Sequence, residues 1–214
     1  MLGARTGGVS ARAAAAAGAA RRTVGARRAR ARAMAPLAPQ LRALIERDSA
    51  PQWHEEGTPE ERVKALGIEL EGRVPTNPQG IYHPVVLVGN QANVSGQIPR
   101  LPDGSLLTGI AGSTASEEEA AEAAYNVGCT MLASIRNQLG SLDRVKRVVM
   151  VRAYVASTPE FERQPAVVNA LSNLFIDVFG PAGKSARSAV GVAALPLGIT
   201  VEAEAVIEVD LSDD

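Results

Sequence analysis

The sequence predicts an α+β domain: one mixed sheet with two helices on one face, reached after N-terminal segments that stand outside the fold. Three observations predict it. Short apolar runs with period two are bounded by Gly, Pro and Asn; two long stretches carry apolar residues at helical spacing; and a single β-branched run separates those two stretches. The order that results is β-β-(β)-α-β-α-β-β. Helices that return to one sheet in this way cover one of its faces and leave the other to be buried by something else. With 46% hydrophobic but only 3% aromatic residues, that other face is small and apolar, and a second copy of the same sheet is its natural cover.

Residues 1–33 combine Ala and Arg with no acidic residue, the composition of an organellar transit peptide. A basic nucleic-acid arm, or a start at Met34, are the other readings. A transit peptide implies a mitochondrion or chloroplast, whereas a start at Met34 implies the cytoplasm. Residues 34–72 read as a helical extension. Leu37, Leu41, Leu44 and Ile45 give an amphipathic helix over 36–47, and Thr58-Pro-Glu-Glu opens a second one that runs to Gly67. Trp53 and His54 fall in the loop between them.

The body spans 73–214. A Gly-, Pro- and Asn-rich loop over 72–80 leads to a hairpin, Tyr82 to Val88 and Ala92 to Ile98, turned at Gly89-Asn90. Leu106 to Ile110 reads as a short strand. Ser116 and Glu119 form a capping box for a helix whose stripe runs from Ala120 to Leu139, and Gly140 stops it. Val145 to Ala156 is a long strand, and Gln164 to Phe179 a helix ended by Gly180-Pro181. The last pair, Ala186 to Ala194 and Ile199 to Val209 around Leu195-Pro-Leu-Gly, reads as a hairpin. That pairing places Arg187 close to Glu202. On pattern alone the two are a structural ion pair, and Glu202, Glu204 and Glu208 are a solvated strand face.

Composition excludes several classes of function. One cysteine, Cys129, rules out an internal disulfide, and with only His54 and His83 no zinc-type ligand cluster can be assembled. Charged residues or Gly interrupt every apolar run short of a bilayer span, so no membrane partner is expected. Nine of the basic residues precede Glu46; the remainder of the chain has 13 basic against 23 acidic residues, a balance of −10. An RNA backbone calls for a basic surface, and beyond Arg144, Lys146 and Arg147 this body offers none.

Several motifs together resemble one family. They are the Tyr82 region, S-G-Q-I-P at 95–99, E-E-A-A-E-A-A at the helix start, V-K-R-V-V-M-V-R-A-Y-V, V-N-A at 168–170, A-R-S-A-V-G-V at 186–192 and L-P-L-G-I-T-V-E-A-E-A. In this order, over about 130 residues, they are similar to the RidA/YjgF family of imine deaminases, also called the L-PSP endoribonuclease or translation-inhibitor family. The lead-in T-P-E-E-R-V-K-A-L-G-I-E-L resembles a divergent RidA-like branch.

The resemblance implies a chorismate-mutase-like fold, a homotrimer with sites in clefts between subunits, and no cofactor. It implies hydrolysis of reactive 2-imino acids to 2-keto acids and ammonia, a form of metabolite damage control. Arg187 would bind the carboxylate and Glu202 would orient or activate water; Tyr82, Ser95 and Ala189 would line the cleft, and Asn169 would support it. The chain departs from the pattern where the family commonly has Cys two residues after the Arg. Ala189 stands there, Ser185 replaces a common Pro, and His83 follows Tyr82 within reach of the pocket. A second reading keeps the trimer as a non-catalytic module for a small carboxylate or a partner enzyme. The acidic body argues against the third, RNA cleavage.

Overall fold

A computed structural model of the chain describes residues 57–74 and 80–212. The sequence expectations for 1–33 and 36–47, and for Trp53 and His54, lie outside the described residues. Helix α1, Pro59–Ala65, starts where Thr58 and Glu61 close a reciprocal capping box. Short as it is, it is tied down by tertiary bonds. Glu60 accepts from the Leu142 N–H at 2.9 Å, its own N–H donates to Asp143, and Arg62 donates to the Val178 carbonyl.

Strands β1, Val85–Val88, and β2, Gln91–Gln97, form the first hairpin. Gly89 has a positive φ and Asn90 does not, the pattern of a two-residue type II′ turn. The first strand begins at Val85 rather than at Tyr82. The expected short strand at Leu106 to Ile110 is absent as a strand: the segment makes isolated bridges, Arg100 with Leu106 and Thr108 with Ile199. The positive φ of Gly109 breaks the extended run, leaving too few residues in register for a ladder.

Helix α2, Glu117–Leu139, has the expected capping box of Ser116 with Glu119, and it ends on a left-handed Gly140. Strand β3, Val145–Ala156, helix α3, Gln164–Phe179, strand β4, Ala186–Val192, and strand β5, Val201–Val209, complete the domain. α2 and α3 pack on each other and on one face of the sheet, where Met131, Leu132, Ile135, Leu171, Leu174 and Phe175 are fully buried. By length and mean hydropathy alone, 164–183 could cross a membrane. Most of α3 is instead buried inside this core, which accounts for its apolar composition.

The sheet order is β1-β2-β5-β3-β4, mixed because β4 runs parallel to β3 while the other pairs are antiparallel. This corrects the hairpin expected at the end of the chain. β4 and β5 are not neighbours; β3 lies between them. A helix joining two strands brings the second back parallel to the first, so β3-α3-β4 forms as a unit, and the Leu195–Gly198 turn carries the chain over the end of β3. On the face away from the helices β5 presents Glu202, Glu204, Val206 and Glu208, and the edge strands β1 and β4 present Val86, Val88 and Val190, which are 44%, 63% and 48% exposed.

Candidate functional site

Arg187 lies on the helix-covered side of edge strand β4. Its register partner Val151 is buried under the helices, and its guanidinium reaches α3. There Nη1 donates to Asn169 Oδ1 at 3.0 Å and to Ser172 Oγ at 2.9 Å, while Nη2 points at the Pro165 carbonyl at 3.4 Å. Asn169 and Ser172 are three residues apart and so share a helix face. Among the described residues no carboxylate pairs with Arg187. Burial lowers its affinity for the proton, since a half-buried cation with neutral partners has lost water and gained no counter-charge. A guanidinium held in this way has the fork free to grip a planar anion with two charge-assisted bonds. Ala189, two residues on, lies on the same side and is partly buried against the core.

Glu202 occupies the other side of the sheet. Its register partner is Tyr154, and Arg187 stands level with Ala205 across β3. Two strand spacings and three residues of offset separate the two, roughly 10 Å across and roughly 10 Å along. One chain therefore does not bring Arg187 and Glu202 together, which overturns the adjacency expected from the hairpin reading. Burial, and then the neighbouring Glu204, raise the pKa of Glu202 above its ordinary value. Glu204 itself accepts from Arg152 at 3.3 Å and from the Tyr154 hydroxyl at 3.4 Å.

Gly96 sits against the Glu202 carboxylate, with Ser95 next to it in the chain. Val94 pairs with Ala205 but Gln97 with Ala203, so β2 carries one extra residue there, a β-bulge. Ser95 donates its hydroxyl to the His83 carbonyl at 2.8 Å, and its N–H to the Pro84 carbonyl. Tyr82 lies just before β1 and is 54% exposed. The structure thus assembles two separate clusters. One is Arg187 with Asn169, Ser172 and Ala189; the other is Glu202 with the Ser95–Gly96 bulge, next to the segment that carries Tyr82 and His83.

Ser172 is absent from the sequence reading, although its spacing from Asn169 would have disclosed it. Gly96 is hidden inside S-G-Q-I-P. Its role depends on a bulge that periodicity cannot register.

Comparison with known proteins adds the following. A family model described as Endoribonuclease L-PSP matches residues 74–209. Protein TCP17 of Trypanosoma cruzi is 39% identical over 149 residues, which is 69% of this chain and 92% of that protein. Protein HMF1 of Saccharomyces cerevisiae is 33% identical over 126 residues, 58% of this chain and 81% of that protein. Among solved structures, the protein of unknown function Atu1372 from Agrobacterium tumefaciens is 37% identical with a TM-score of 0.64, covering 72% of this chain and 94% of its own. A candidate endoribonuclease of Shewanella oneidensis is 27% identical with a TM-score of 0.67, covering 72% and 100%.

Proposed function

Because the chain belongs to the endoribonuclease L-PSP family, the RidA/YjgF family, we propose that it hydrolyses 2-imino acids to 2-keto acids and ammonia in a site built between subunits of a homotrimer. The observation that carries this reading is Arg187, a half-buried guanidinium held by Asn169 and Ser172 with no carboxylate paired to it. A 2-imino acid carries the planar carboxylate that such a fork fits, directly beside the carbon to be attacked. The separation of Arg187 and Glu202 to opposite sides of one sheet is why the reading requires a second copy. The open face, which carries Val86, Val88 and Val190 alongside Glu202, Glu204 and Glu208, is the surface through which copies would meet.

In this mechanism Arg187 binds the carboxylate and fixes C2 of the iminium. Glu202 takes a proton from water as the water oxygen bonds to C2, and the C=N electron pair moves to nitrogen. Glu202 then gives that proton to the carbinolamine nitrogen, the C–N bond breaks with its electron pair leaving on the amine, and the hydroxyl O–H pair forms the keto group as its proton passes to the departing ammonia, so one water is consumed and a keto group and ammonium are formed. A carboxyl group whose pKa is raised toward neutrality suits both steps. Protonated imines react readily with water, so orientation supplies much of the acceleration.

The test couples the purified protein to an amino-acid oxidase and follows imine decay. Acceleration over buffer that is lost in Arg187→Ala supports the reading, and decay no faster than in buffer refutes it. Since Ala189 widens the cleft where the family commonly has Cys, a substrate with a larger side chain is accommodated. The acidic body beyond Glu46 speaks against an RNA substrate.

A further inference from the structure

Gly96 has no positive φ, so its backbone does not demand glycine. What demands it is space. A Cβ placed at Gly96 would lie 2.1 Å from Glu202 Oε1 and 3.1 Å from Cδ, so the carboxylate occupies the volume that any other residue would fill. The bulge that aims this gap at Glu202 is fixed from behind. The extra residue turns Gln97 toward the helices, where it is 7% exposed; its Nε2 donates to the Ser95 carbonyl at 3.0 Å, and its Oε1 accepts from Ser134 Oγ of α2 at 2.9 Å. Ser134 is itself only 3% exposed.

We propose that Gly96 and Gln97 are positioning residues for Glu202: the Ser95–Gln97 bulge, braced on α2 through Ser134, is a cradle that fixes where the carboxylate sits. The role of the cradle in turnover rests on the imine-hydrolase reading, but its existence does not. The groups around Glu202 are Glu204 on its own strand, Tyr154 and Arg152 on β3, and on β2 Gly96 with the adjoining Ser95. Of these only the β2 pair carries no titratable group, so a change there alters position and solvent access without altering local charge.

Gly96→Ala tests this because the atom it displaces is the end of a flexible side chain, which can move without disturbing the backbone. The Glu202 carboxyl is followed by 13C NMR, assigned by its loss in Glu202→Gln, in wild type and in Gly96→Ala. The cradle predicts that the raised midpoint of the wild type falls toward the ordinary 4.5 in Gly96→Ala as the carboxylate is pushed out to water. It also predicts a loss of kcat/KM of about 10- to 100-fold from misplacement of Glu202. Identical titration in wild type and Gly96→Ala overturns the proposal. If Gly96→Ala does not fold, Ser134→Ala loosens Gln97 instead and predicts the same shift in smaller degree, an unshifted midpoint again being fatal. A wild type that titrates as described but hydrolyses no imine refutes the assigned function and leaves the cradle standing.

Discussion

At Arg187 the balance of forces is unusual for a surface strand. Its nearest acceptors are the neutral groups of Asn169 and Ser172, and their bonds orient the guanidinium without neutralising it. Lysine at this position keeps the charge but loses the fork, so Arg187→Lys is expected to lower kcat/KM by about 10- to 100-fold, read in the coupled imine assay. Glu202 makes the complementary prediction in stability. Its folded pKa lies above the ordinary 4.5, so the native state disfavours the charged form. The unfolded chain ionises first as the pH rises, and stability falls between the ordinary value and the raised one. Glu202→Gln removes that loss. It should therefore melt higher than wild type at about pH 8 and no higher at about pH 4, a pattern calorimetry at the two pH values reads directly. Cys129 is fully buried, and burial pushes its thiol up to about 11. At about pH 8 it should resist a thiol reagent until denaturant is added, since reaction requires the thiolate and access.

At the scale of elements, legibility in the sequence followed the range of the interaction. α2 and α3 were readable because capping box, apolar stripe and glycine stop are local, and β3 because twelve residues of β-branched pattern admit little else. The terminal hairpin was misread because Leu-Pro-Leu-Gly is turn chemistry of the right kind between two strands. Which strands pair is decided by the crossover helix α3, not by the turn. That error mattered for the site, since it alone placed Glu202 beside Arg187. Tyr82 and the segment at 106–110 were read as strand from composition, but only ladder partners would have made them so. The α2–α3 contact that positions Asn169 and Ser172 rests on side chains such as Leu171, which is fully buried. Leu171→Ala should cost about 2–5 kcal/mol in a denaturant titration, a cavity effect, and reduce activity only in proportion to the fraction unfolded.

At the scale of the whole molecule, the chain places Arg187 and Glu202 on opposite sides of one sheet, and the proposed function makes them halves of one site. The proposed homotrimer predicts a native mass of three times the 22.3 kDa chain, less any removed leader, by analytical ultracentrifugation. It makes a sharper prediction about mixing. Arg187→Ala and Glu202→Gln, each inactive alone, are unfolded together and refolded as a mixture. If an Arg187 from one chain acts with a Glu202 from another, random assembly regenerates about a quarter of the sites in intact form, and imine hydrolysis returns to about a quarter of the wild-type rate. A mixture of verified trimers as inactive as its components would contradict the shared site.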